Sequence, residues 1–144
     1  MSKMIITADA CCKIPNANIK GRIGRGKSAC GVVIIDEYGN ENLFKKYLGE
    51  MTVPEAEFRA LIYALDCASA IGRRDVEIWM DSELVIKWMN GEYRMKKEHI
   101  RPLFDEAKKN SQRFKSVSFF HHPRSTELAK KADALANEAF LDCQ

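Results

Sequence analysis

No window of the sequence approaches the apolar length of a membrane-spanning helix. Ahead of Asp9 there is one lysine and a short apolar run, too little for a secretory signal. The cysteines (Cys11, Cys12, Cys30, Cys67 and Cys143) are odd in number and never fall in CxxC spacing. Neither a disulfide framework nor a zinc site is therefore expected, and a reducing, cytoplasmic compartment fits best. Repeats, low-complexity tracts and linkers are also missing. With 144 residues, 46% of them hydrophobic and 30% charged, the expectation is one compact soluble domain over residues 1–144.

Acid is absent from Ala10 to Ile35, where Lys13, Lys20, Arg22, Arg25 and Lys27 all lie. The net charge of +3 says little about a nucleic-acid partner. That local basic run reads either as a solvated loop or as one that meets phosphate.

What is present is an alternation of strand and helix signals. Strands are expected over Met4–Ala10, Ala29–Asp36 and Leu43–Leu48, with Glu37–Asn40 as the turn between the second and third. Thr52-Val53-Pro54-Glu55 has capping-box spacing and opens a helix that ends before Gly72. A fourth strand follows over Asp75–Asp81, then a short helix from Ser82 to Asn90 and another marked by Ile100, Leu103, Phe104 and Ala107. Lys115–Phe120 is the fifth strand, and Glu127–Leu141 the last helix. The pattern predicts an α/β fold with strands 1–3 as an antiparallel meander. The crossover helix lets strand 4 run parallel to strand 1. Ligands gather beyond the carboxyl ends of such strands, where connectivity reverses.

Acids mark that edge. Asp9 and Asp81 close the first and fourth strands, while Glu57 and Asp133 fall on the apolar stripes of their helices. Glu57 is in phase with Leu61, Ala64 and Ala68, and Asp133 with Ala129, Ala136 and Phe140. A carboxylate there is costly unless compensated. Each alone fits a stripe margin or an arginine partner; together they read as a cage for hard divalent cations and chemistry on phosphate.

Ile6-Thr7-Ala8-Asp9, Gly31-Val32-Val33-Ile34, Glu55-Ala56-Glu57-Phe58-Arg59-Ala60-Leu61, Asp81-Ser82-Glu83-Leu84-Val85, Gly91-Glu92-Tyr93 and Ala132-Asp133-Ala134-Leu135-Ala136-Asn137 occur in this order. In this the chain resembles the type 1 ribonuclease H family from about Ile5 to Phe140. The resemblance implies a five-stranded mixed sheet in order 3-2-1-4-5 flanked by helices. It also implies endonucleolytic hydrolysis of the RNA strand of RNA–DNA hybrids, with 3′-OH and 5′-phosphate products. The family's acidic set maps onto Asp9, Glu57, Asp81 and Asp133 as metal-binding and catalytic residues. Such chemistry uses two Mg²⁺ ions about 4 Å apart, with Mn²⁺ as a substitute. Cys11, Cys12, Lys13, Asn16, Lys27, Ser82, Lys96 and Lys97 are candidate substrate contacts, some through backbone amides to 2′-hydroxyls.

The chain departs from the family pattern in two places. Ala10 follows the first Asp where glycine is common. Pro123-Arg124 keeps its motif, but Ala129 replaces the usual Asn and the loop is about two residues longer, so His121, His122 and Arg124 all compete for the turnover-assisting role. The basic insertion of larger relatives is missing, which predicts salt-sensitive binding through Tyr93–Lys97, the 13–27 loop, Arg101 and Arg124. A free-standing monomer acting on hybrid is expected, and whether double-stranded RNA is a second substrate is left open by the sequence. A non-catalytic hybrid- or duplex-RNA-binding module is the alternative, but such a module gains nothing from crowded like charges. A 3′–5′ exonuclease on the same fold is disfavoured by Asp9-Ala10-Cys11, because such enzymes place Asp and Glu two apart.

Gly21–Ser28 matches the phosphate-loop pattern GxxxxGK[ST]. Its physics needs a strand before and a helix after, whereas a β-branched run follows, so it is set aside. Core packing is expected of Trp79 and Trp88.

Overall fold

In the computed structural model, which describes residues 3–14 and 24–143, the sheet has order β3-β2-β1-β4-β5. The strands are β1 (Met4–Lys13), β2 (Arg25–Ile35), β3 (Glu41–Thr52), β4 (Asp75–Met80) and β5 (Ser116–His121). The β1–β2 and β2–β3 pairs are antiparallel, and β4 runs parallel to both β1 and β5. This is the expected mixed sheet.

Its two faces are covered differently. Ala8, Val32, Ile34, Ile78 and Met80 point to one side and join a buried cluster with α1 (Val53–Ile71), α2 (Glu83–Met89) and α3 (Arg101–Ser111). On the other side α4 (Glu127–Asp142) packs on β1, β2 and β3, with Ala29 meeting Ala139 and Phe140. The start of α1 is fixed as its sequence predicts. Thr52 N donates to Glu55 Oε1 at 3.1 Å and Glu55 N to Thr52 Oγ1 at 3.4 Å, which satisfies two orphan helix-end donors.

Three strands are longer than expected, and the other ends differ by at most a single residue. β1 continues to Lys13, β2 starts four residues early at Arg25, and β3 spans Glu41–Thr52. The polar residues there become strand because the ladder holds them: Cys12 pairs with Ser28, Lys13 with Lys27, and Lys27 with Glu50. Gly26 permits the crossing, since a Cβ there would lie 2.1 Å from the Lys13 carbonyl oxygen. Lys27 and Ser28 thus lie in a strand and open no helix, so the phosphate-loop match fails; its residues 21–23 lie outside the described residues.

Trp88 is buried and stacks on Phe58. Trp79 is not a core residue, contrary to expectation. It shares the outer face of β4 with Glu77, beyond the main contacts of α4, and stacks instead on Phe120 at 4.6 Å. Among the described residues, no helix is long and apolar enough to cross a membrane.

Candidate active site

The β1–β4 ladder stops at the Thr7–Trp79 pair, and beyond it the two strands part. Asp9 lies two residues past that pair on one side of the fork, and Asp81 directly follows β4 on the other. Gly31 faces Asp9 across the β1–β2 ladder. A Cβ on Gly31 would stand 2.1 Å from the Ala132 carbonyl oxygen, so its absence lets the backbone of α4 rest directly on β2. Asp133 is thereby brought near Asp9, whose carboxyl feels the charges of both Asp81 and Asp133.

Glu57 enters from α1, in the second turn after the cap. Ser82 Oγ donates to Glu57 Oε2 at 2.6 Å and accepts from Val85 N at 3.3 Å, so one hydroxyl both caps α2 and orients the carboxylate. Arg124 Nε lies 2.8 Å from Asp81 Oδ2. A cavity of about 400 Å³ is lined by Asp9, Glu57, Arg124, Asp133 and the Ala10–Lys13 edge of β1. A smaller one of about 110 Å³ adjoins it, bordered by Asp9, Asp81, Arg124, Lys130 and Asp133.

Crowding sets the electrostatics. Burial, then the charges of Asp81 and Asp133, push the Asp9 carboxyl up to about 8. Burial also raises Glu57, against the opposing hydrogen bond from Ser82. The crowded carboxyls therefore resist ionising together, and a cation among them would relieve that repulsion. An all-oxygen donor set fits a hard divalent cation such as Mg²⁺ or Mn²⁺. Among the described residues, no group of three or more acids, histidines or cysteines is arranged to hold a metal ion by itself, so an ion here would need further oxygen ligands. An open arrangement suits Mg²⁺, which keeps waters and takes substrate oxygens as ligands.

Asp133 differs from expectation in one respect: it is exposed, at the margin of its stripe. The N-terminal end of α4 reaches past the sheet, so one side of that turn faces the cavity and not the core. Of the candidate substrate contacts, Cys11, Cys12 and Lys13 line the carboxylate cavity, and Lys27 lines an adjacent one with Cys12 and Lys13. Ser82 is engaged by Glu57. Lys96 and Lys97 are exposed and line neither carboxylate cavity; their segment is held by buried Met95, whose carbonyl accepts from Arg101 Nη1 at 3.1 Å. Asn16 lies outside the described residues. His122 is buried near the Trp79 ring, at 6.2 Å between centroids, and burial holds its imidazole below the usual range. It borders neither cavity. Asn137 and Lys130 line the cavities without having been singled out as site residues. Asn137 follows Asp133 by one helical turn, a spacing that marks it as a neighbour.

A sequence model described as reverse transcriptase-like matches residues 18–139. A ribonuclease HI of Halobacterium salinarum is 38% identical over 95 residues, which are 66% of this chain and 47% of that protein. A bifunctional protein of Mycobacterium tuberculosis is 33% identical over 95 residues, 26% of its length. The chain thus spans about a quarter to a half of the curated relatives it matches. Among solved structures, RNase H1 from Halobacterium salinarum superposes with TM-score 0.83 at 31% identity, covering 99% of both chains. LC11-RNase H1 in complex with RNA/DNA hybrid gives 0.81 at 33% identity, covering 98% of this chain and 99% of that one. On this sequence match and this full-length structural likeness, the chain belongs to the reverse transcriptase-like proteins and, within them, to the ribonuclease H family.

Proposed function

We propose that the protein is a divalent-cation-dependent endoribonuclease that hydrolyses the RNA strand of RNA–DNA hybrids. The observation that carries this reading is the gathering of Asp9, Glu57, Asp81 and Asp133, from four separate elements, around one forked sheet edge. The hybrid in the LC11-RNase H1 complex supports the substrate class.

Asp9 and Asp133 both border the two cavities. Asp9, influenced by Asp81 on one side and Asp133 on the other, is the residue suited to face two cations. Glu57 and Asp81 would complete one position and Asp133 the other. Bound there, Mg²⁺ or Mn²⁺ supplies charge neutralisation at the phosphate and acidifies water. Ser82 holds Glu57 in one rotamer, so this ligand need not be ordered at the moment of reaction. Past Thr7, the edge of β1 that faces the fork has no β4 partner, leaving backbone groups of Ala10–Lys13 free to meet successive 2′-hydroxyls. Hydrolysis adds the water oxygen to phosphorus and breaks the bond to the 3′ oxygen. That oxygen takes up a proton, giving 3′-OH and 5′-phosphate ends.

The test is cleavage of end-labelled RNA–DNA, RNA–RNA and DNA–DNA duplexes with and without Mg²⁺, for wild type, Asp9→Asn and Asp81→Asn. Hybrid-selective, Mg²⁺-dependent cleavage lost in both variants is expected. Equal cleavage by the variants would remove the assigned roles.

A further inference from the structure

Arg124 is placed unlike an ordinary surface arginine. Its side chain is 88% exposed, yet it approaches Asp81, which is only 14% exposed. The contact is made through Nε, leaving the terminal nitrogens of the guanidinium uncommitted. Among the described residues it makes no second ion pair, although its charge also reaches Glu57, and it borders both carboxylate cavities. A cation ligated by Asp81 would meet a guanidinium already at ion-pair distance. The two positive charges cannot share that carboxylate without mutual repulsion.

We propose that Arg124 is an internal counter-ion of Asp81, which a divalent cation must displace, and that the freed guanidinium then turns to the substrate phosphate. This rests on the reading of the carboxylates as a cation site. Several features favour exchange over a fixed bridge. The arginine is solvated, so release costs little desolvation. It stands in the 122–126 loop, between the end of β5 and the cap of α4, where no helix or ladder fixes its rotamer. Its fork of donors suits a phosphate better than a single carboxylate oxygen. By linkage, phosphate that draws Arg124 away raises the affinity for cation, and cation raises the affinity for phosphate to the same degree. Arg124 is thus a positioning residue that couples loading of the site to arrival of the substrate.

Calorimetric titration with Mg²⁺ alone, at low salt, tests this on wild type, Arg124→Gln, Arg124→Lys and Asp81→Asn, each checked for folding by circular dichroism. Arg124→Gln should bind Mg²⁺ about 3-fold tighter, the scale of a lost solvated ion pair, while Arg124→Lys should stay within about twofold of wild type. In hydrolysis, Arg124→Gln should need less Mg²⁺ for half-saturation while its kcat falls. Unchanged or weaker Mg²⁺ binding by Arg124→Gln would overturn the counter-ion role and leave the cation site standing. Wild-type binding heat that Asp81→Asn does not reduce would overturn both.

Discussion

Gly31 and Asp9 face one another across the β1–β2 ladder, and it is the missing side chain of Gly31 that lets α4 bring Asp133 to Asp9. Gly31→Ala must push a methyl group against the Ala132 carbonyl oxygen and Leu135 Cβ. A loss of about 1–3 kcal/mol in urea unfolding is expected, the range of an overpacked core, together with reduced hybrid cleavage. Gly39→Ala is the comparison. At φ 83° with nothing within 4 Å, it is strained by about 1 kcal/mol and should cleave normally. Wild-type stability in Gly31→Ala would show that the close approach is dispensable.

Asp9 makes stability depend on pH in an unusual direction. Its folded carboxyl titrates at about 8, above the ordinary value of 3.8. The folded state therefore holds the proton more tightly than the unfolded state, and stability falls as pH rises between those values. Without divalent cation at pH 7.5, Asp9→Asn should be more stable than wild type by on the order of 2 kcal/mol and melt higher. The gap should close at pH 4. Added Mg²⁺ should raise the melting temperature of wild type and not of the variant. A variant less stable than wild type at pH 7.5 would contradict this.

Ser82 acts on two partners at once. Ser82→Ala should cost about 1 kcal/mol through the lost helix cap. It should also remove the hydrogen bond that lowers Glu57, leaving burial and Asp81 to raise it. The acidic limb of the pH–rate profile should then move to higher pH, whereas Ser82→Thr should keep both cap and profile. An unmoved limb in Ser82→Ala would mean that Glu57 does not govern it.

Lys13 and Lys27 are cross-strand neighbours beside the carboxylate cavity. If both meet phosphate, hybrid affinity should fall steeply with salt. Each single alanine substitution should then reduce the slope of log K against log salt by about 1. A slope unaltered in both variants would place the duplex elsewhere.

The acids were legible because Asp9 and Asp81 close apolar runs of sequence, though Asp9 lies inside β1. Glu57 and Asp133 fall in phase with helical stripes, though Asp133 sits at its stripe's exposed margin. Sheet order followed from the meander, the crossover and the family likeness. Thr52–Glu55 announced its own helix. Arg25–Ser28 did not announce a strand, because Gly, Lys and Ser have weak strand preference and pairing on both sides overrides it. Trp79 misled for a related reason. Alternation places it opposite Ile78, but only the assembled molecule reveals that α4 leaves that face of β4 largely uncovered. The Ser82–Glu57 bond and the Arg124–Asp81 pair join residues distant in sequence, and no local pattern encodes such meetings.

Asp9 stands near the start of the chain and Asp133 near its end, and they meet only because α4 docks on β2. A polypeptide still emerging from the ribosome would already hold three of the acids and yet lack a working centre. Hydrolysis by ribosome-stalled chains should accordingly begin only once α4 has cleared the exit tunnel, making catalysis itself a reporter that this helix has docked.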